Sequence, residues 1–180
     1  MLICFDPGHG GQDPGAVASD GTKESALAFL LARRAKESLL RHEHQIIWTR
    51  TTDRFVEIAE RPRIALREQA DAFISFHCNA AASPARGIEA WVVAGDKRSE
   101  AAAKTMLQTM GLIITGLRVR GVKPDTANRH GRLGVLRGCW QQMPAVLIEC
   151  GFLTTTADRE LMQEVHFGLA LGEAIHAGLR

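Results

Sequence analysis

The chain has no apolar run long enough to cross a membrane. Its longest mostly apolar stretch, residues 26–32, falls far short of the roughly 20 residues a span needs. A secretory leader is not visible either. The sequence enters a strand at Leu2, with no basic n-region, apolar h-region or small-residue cleavage site. Cys-x-x-Cys pairs are missing, and the four cysteines Cys4, Cys78, Cys139 and Cys150 form no small-scaffold disulfide framework. They are expected to be buried small hydrophobes. Cys78 and Cys150 each directly follow a candidate site residue, so a thiolate ligand or nucleophile there is the sharper alternative. Charge of one sign is also lacking: 22 Lys and Arg stand against 20 Asp and Glu, a net +2. That excludes a nucleic-acid signature. No Gly-x-x-x-x-Gly-Lys-Ser/Thr and no Gly-x-Gly-x-x-Gly follows a strand, which removes the usual nucleotide cradles.

What is present is enough for one domain with a full core: 180 residues, 46% hydrophobic. Strands are expected over 2–6, 44–48, 72–77, 88–93, 133–136 and 145–149, the fourth at or near an edge. Helices are expected over 24–41, 56–70 and 99–116, with a helical region from 156 onward. Leu27, Leu30, Leu31, Ala35, Leu39 and Leu40 recur at close to helical spacing. Thr156 to Arg159 offers a cap for the last region. Residues 7–23 form a Gly-rich loop, 80–86 a small-residue loop, and 118–132 an irregular basic stretch. The strand–helix–strand order implies right-handed parallel units. The fold class is therefore α/β: a single domain with a twisted, mostly parallel sheet of about six strands and helices on both faces.

Three of these strands end in chemistry-bearing residues. The runs Ile3-Cys4-Phe5-Asp6-Pro7-Gly8-His9, Ala72-Phe73-Ile74-Ser75-Phe76-His77 and Ala145-Val146-Leu147-Ile148-Glu149 are apolar until their last positions. Ligands of open α/β sheets bind beyond the carboxyl ends of strands. If the three run parallel, His9, His77 and Glu149 converge. Two imidazoles and a carboxylate suit a catalytic zinc centre. Glu24 opens the first helix directly behind the loop that carries His9, which makes it the best third protein ligand. Taken alone, it would only complement a helix dipole. With His9 and His77 it completes the His₂Glu set of open zinc sites, where water takes the fourth position. Glu149 then stands apart. A carboxylate at the end of an apolar run is paired or used, and a hydrolase needs a group that takes a proton from water and gives it to a leaving amine. Its bland alternative is a buried ion pair with an arginine. The Gly-rich loop has a bland reading too, as a tight turn. As a phosphate cradle it lacks a helix opening directly behind it.

These residues resemble a family. The Asp6-Pro7-Gly8-His9-Gly10-Gly11 start, the Gly21-Thr22-Lys23-Glu24 helix entry and Thr49-Arg50-Thr51-Thr52-Asp53 look like the zinc-dependent N-acetylmuramoyl-L-alanine amidases of the type 3 amidase family. So do Phe73-Ile74-Ser75-Phe76-His77-Cys78-Asn79-Ala80, Gly87-Ile88-Glu89 and the segment from Pro144 to Leu153. The likeness covers nearly the whole chain in the family's order. It implies one Zn²⁺ held by His9, Glu24 and His77, with Glu149 as the catalytic carboxylate. It implies hydrolysis of the amide joining the lactyl group of N-acetylmuramic acid to L-alanine of the peptidoglycan stem peptide. The expected substrate is peptidoglycan, the expected place of action the cell wall, in the periplasm or outside the cell, with the export route left open. A monomer is expected, with no wall-binding module in 1–180. Some relatives carry an inhibitory helical insertion after the strand near Gly87. Residues 94–116 suffice only for a crossover helix, so no such plug is expected.

Substrate contacts are sought in three residues. Asn79 lies two positions beyond His77, and Arg129 and Arg132 belong to a basic segment. That segment also holds Arg118, Arg120, Lys123 and Arg137 against Asp125 alone. It is either a solvated face or a patch for an anionic substrate. Arg61 and Arg63 are expected to order the second helix and its contacts, not to touch substrate. His42, His44, His130, His166 and His176 are expected at the surface or as caps. Two other classes stay open: a zinc peptidase or deacetylase acting on another amide, and a wall-binding module with a dead site.

Overall fold

The computed structural model describes residues 1–81, 85–129 and 131–180. Part of the loop expected over 80–86, and His130, lie outside the described residues.

The order is β1 (Leu2–Pro7), α1 (Glu24–Leu40), β2 (Gln45–Trp48), α2 (Glu60–Arg67), β3 (Ala72–Asn79), β4 (Ile88–Val92), α3 (Lys97–Ile113), β5 (Val119–Pro124), a 3-10 turn (Asp125–Ala127), α4 (Gly134–Arg137), β6 (Ala145–Phe152), α5 (Thr156–Gln163) and α6 (Val165–Gly178). The six strands form one sheet in the order β2-β1-β3-β6-β4-β5. Every neighbouring pair is parallel except β4 with β6. The mostly parallel α/β sheet is as expected, and β4 sits one strand in from the edge.

Alternation along each strand sends successive side chains to opposite faces. Ile3, Phe5, Ile74, Phe76, Ile88, Ala90, Val146 and Ile148 face α1, α3 and α6, whose Leu27, Leu31, Met106 and Leu171 complete the larger core. Cys4, Phe73, Trp91, Val93 and Leu147 face the other way, onto Ala65 of α2 and Val135 and Leu136 of α4. Helices thus cover both faces. The α2–α4 layer is short, and beyond it the sheet face that carries His77, Glu149 and Glu89 opens as a groove.

Four expectations need correction. The second helix starts at Glu60, not residue 56. Arg61 Nε donates to the Val56 carbonyl at 3.1 Å, and that contact holds 56–59 as an approach to the helix. Pro62 falls in the first turn, where a missing N–H costs nothing. Residues 133–136 do not form a strand. Leu136 and Arg137 donate backbone N–H groups to the Leu133 carbonyl, closing a short helix that buries Val135 and Leu136 together. The stretch 118–132 is not irregular throughout. Val119–Pro124 becomes an edge strand, because parallel pairing with β4 overrides the weak local propensity of a segment holding Gly121 and Pro124. The cap expected near residue 156 is not made. Asp158 instead accepts from Gly87 N and Phe152 N, at 2.7 and 2.9 Å, tying two groove loops together.

Candidate active site

β1, β3 and β6 lie side by side and parallel, so the condition for their carboxyl ends to come together is met. His77 and Glu149 are register partners on β3 and β6. His9 sits just past β1 with φ at 59°. That left-handed conformation is uncommon outside glycine, and surrounding contacts must hold it.

Two buried arginines do so. Arg61 donates to the Pro7 and His9 carbonyls at 2.9 and 2.8 Å, and to Asp6 Oδ1 at 2.9 Å. Arg50 donates to the carbonyls of Pro7, Gly8 and Ser25 at 3.0, 2.9 and 2.7 Å. Asp6 is fully buried and also accepts from Thr49 Oγ1 and Ser75 Oγ. Arg61 therefore anchors the His9 loop from α2, as one of the contacts that it was expected to order. Arg63 is exposed and pairs with Glu60. Gly8 lets the loop pass close to the site, since a Cβ there would lie 2.3 Å from the His77 ring.

His9, Glu24 and His77 offer one nitrogen or oxygen each within 4.8 Å of one another, a group that could hold a metal ion. Glu24 Oε1 lies 3.1 Å from His9 Nε2 and 2.9 Å from His77 Nδ1. It also accepts from Cys78 N, and Oε2 accepts from Ala16 N at 3.0 Å. On the far side of the His9 ring, Nδ1 meets Asp13 Oδ2 at 2.8 Å. A carboxylate behind a ligating imidazole fixes its tautomer and raises its basicity. The donor set fits zinc, which takes imidazole nitrogen and carboxylate oxygen at about 2.0–2.2 Å.

Electrostatics separate the carboxylates. Burial alone raises the Glu24 pKa, but hydrogen bonds and positive charge from His77 and His9 hold it well below the usual range. Burial alone lowers the His9 pKa, yet Glu24 and Asp13 lift it to about 9. His77 is likewise raised, Glu24 outweighing burial. Among the described residues Glu149 has no arginine partner, and its Oε2 is buried with no hydrogen bond. Burial pushes its pKa up to about 7; nearby Glu24 and Glu89 add to the shift and His77 opposes it. The ion-pair alternative for Glu149 is not what the structure contains.

The groove encloses about 670 Å³ and runs from His9, Glu24 and His77 past Glu149 to Trp91, Arg120 and Lys123. Asn79 lines it, donating to Glu89 Oε1 at 3.1 Å and accepting from Ala80 N. Arg129 lines it as well, whereas Arg132 is exposed and outside the lining. Arg137 pairs with buried Asp125 instead of facing the groove. All four cysteines are buried, and burial raises each thiol's pKa. Cys78 and Cys150 are therefore not thiolates here. Three of the remaining histidines meet at the opposite end of the molecule. His44 is buried, its Nε2 3.0 Å from His176 Nδ1, while the His42 and His176 rings stack at 3.7 Å. His44 was expected at the surface or as a cap, and of those two it is not at the surface. His166 is exposed, as expected.

The sequence matches the family described as N-acetylmuramoyl-L-alanine amidase over residues 3–180. The chain belongs to that family. Among curated relatives, this amidase-family chain is 34% identical to the N-acetylmuramoyl-L-alanine amidase CwlM of Bacillus licheniformis, covering 97% of the chain and 66% of the relative. It is 28% identical to the N-acetylmuramoyl-L-alanine amidase AmiC of Neisseria meningitidis, covering 99% and 52%. It thus spans about half the length of the first curated relatives it matches. Among solved structures it superimposes on an N-acetylmuramoyl-L-alanine amidase from Clostridium difficile 630 with TM-score 0.87 at 30% identity, covering 98% of this chain and 93% of that one. With the amidase AmiC2 of Nostoc punctiforme the TM-score is 0.85 at 30% identity, covering 99% and 94%.

Asp13, Arg50, Arg61 and Asp6 had no assigned part in the site at the sequence level. Asp13 carried a readable signal, an acidic residue four positions after a loop histidine. The arginines carried none, because their partners are carbonyls up to 54 residues away.

Proposed function

We propose that the chain is a zinc-dependent peptidoglycan hydrolase. It cuts the amide between the lactyl group of N-acetylmuramic acid and L-alanine of the stem peptide. The observation that carries this reading is Glu149, with a buried carboxylate oxygen that bonds nothing, set one strand step from His77 in the three-ligand group. One zinc per chain, held by His9, Glu24 and His77, supplies Lewis-acid chemistry, lowering the pKa of a water and polarising a carbonyl. The protein's residues do the rest. Asp13, Arg50 and Arg61 hold His9 in place. Glu149 takes a proton from the attacking water as the new C–O bond forms. It returns that proton to the L-alanine nitrogen as the C–N bond breaks. A pKa of about 7 suits a group that must both accept and donate near neutral pH. A peptidase or deacetylase would use the same ligands, and the family match favours the amidase.

The segment between β4 and β5 contains only α3, which packs on the sheet face away from the groove. The purified chain is therefore expected to be active without an activator. Mass spectrometry of peptidoglycan digested by the purified chain tests both points. New L-alanine amino termini are expected. Release of acetate, or cleavage inside the stem peptide, sinks the amidase assignment. Activity only after a second protein is added sinks the claim of autonomy.

A further inference from the structure

Arg120 and Lys123 are three residues apart on β5. On a regular strand that spacing sends side chains to opposite faces. Here both reach the same atom: Arg120 Nε and Lys123 Nζ lie 2.6 and 2.7 Å from Glu89 Oε2. A bulge makes this possible. Ile88 pairs with Val119 and Ala90 with Val122, so Arg120 and Gly121 together oppose the single residue Glu89. Gly121 has φ at +90°, a conformation that side-chain-bearing residues rarely adopt. Bulges next to active sites re-aim side chains in this manner.

Each cation is also braced by a ring. The Arg120 guanidinium lies 4.9 Å from the Phe152 centroid, and Lys123 Nζ 5.1 Å from that of Trp91. The carboxylate lies beneath and the cations above: the Glu89 side chain is 1% exposed, against 25% for Arg120 and 32% for Lys123. Two cations on one buried carboxylate leave a net positive wall toward the groove. Trp91 adds a buried Nε1–H with no acceptor among the described residues.

The wall has a defined place relative to the chemistry. Glu149 and Glu89 are register partners on adjacent strands, and β5 is the next strand out. The β5 backbone thus lies two strand spacings, about 10 Å, from that of Glu149. An extended peptide advances about 3.3–3.6 Å per residue. A peptide laid along the groove from Glu149 toward β5 would meet the side chains reaching inward from β5 about two residues beyond the scissile bond.

We infer that Arg120 and Lys123, paired on Glu89 by the Gly121 bulge, select a free carboxylate on the residue that follows L-alanine in the leaving peptide. The inference rests on the amidase reading and deepens it. It moves the basic contact with substrate from Arg132 to β5.

The test uses two soluble muramyl peptides that differ only in whether that second residue carries a carboxylate or its carboxamide. The zinc-loaded parent should favour the acid in kcat/KM by about tenfold or more, as expected for a charge-assisted contact. In Arg120→Gln, Lys123→Gln and the double variant, the ratio of the two substrates should collapse toward one, the loss on the acid falling mainly in KM. Lys123→Arg, which keeps the charge, should retain most of the preference. That partial rescue separates recognition from misfolding. A parent that cuts both peptides equally overturns the inference and leaves the amidase reading standing. So does a double variant that keeps the parent ratio. If neither peptide releases an L-alanine amino terminus, the amidase reading fails and this inference with it.

Discussion

Glu24 and Glu149 both approach His77, yet the protein treats them in opposite ways. The Glu24 carboxylate is saturated: two imidazoles and two backbone N–H groups reach it, and its pKa is held low despite burial. Glu149 keeps a buried oxygen with no partner, and burial drives its pKa up to about 7. Burial is common to both, so burial does not assign the roles. The number of donors pointed at each carboxylate does. A carboxylate held ionised and fixed is suited to holding a metal. One left poised and unpaired is suited to moving protons.

The largest expected effect comes from emptying the poised side. Glu149→Gln keeps shape and volume but cannot carry a proton. Hydrolysis should fall by about 10²–10⁴-fold, the usual reach of general acid–base catalysis, while zinc content stays near one per chain. Parent-rate hydrolysis by this variant would falsify the mechanism. If it loses zinc while Glu24→Ala keeps it, the two roles are exchanged.

The saturated side should respond in metal affinity first. Glu24→Ala removes a ligand, so competition with a chelator should show much weaker zinc binding, and excess zinc should partly restore activity. Asp13→Asn leaves all three ligands and removes only the carboxylate behind His9. A smaller loss is expected, about 10–100-fold in affinity. Equal losses in the two variants would erase the distinction between holding the metal and supporting a ligand.

The smallest effect is a proton count. Without metal, the His9 pKa sits at about 9, so the ring is protonated at pH 7 and paired with Glu24. In the metal-free protein that pairing contributes stability that is complete below the unfolded value of about 6.5. It is lost as pH rises through about 9. Zinc needs the deprotonated ring, so uptake at pH 7 should release about one proton or more. Calorimetry in buffers of different ionisation enthalpy measures this directly. Apparent affinity should rise between pH 7 and about 9. No proton release would mean that His9 is neutral before zinc arrives.

Much of the site was legible because each of its four residues has a local signature. His9 and His77 end apolar runs, Glu149 breaks one, and Glu24 opens a helix behind a glycine-rich loop. A buried strand must be apolar, so a titratable residue at its carboxyl end stands out without any coordinates. The parallel order of β1 and β3 followed from strand–helix–strand succession, whereas β6 runs parallel beside them only through its pairing with β3. Elsewhere local signals misled. Residues 119–124 look irregular because Gly121 and Pro124 are poor strand formers, and only pairing with β4 makes them β5.

The sequence by itself determined the α/β class and singled out His9, Glu24, His77 and Glu149 as candidates, because those depend on periodicity and on interruptions within a few residues. The tertiary structure decided which carboxylate is saturated and which is poised. It decided that Arg50 and Arg61 clamp the loop bearing His9, and that a bulge turns Arg120 and Lys123 to one side. Each of these rests on hydrogen bonds or charge between segments distant in the chain. Such contacts form only when the sheet brings the segments together, and no local pattern of residue types encodes them.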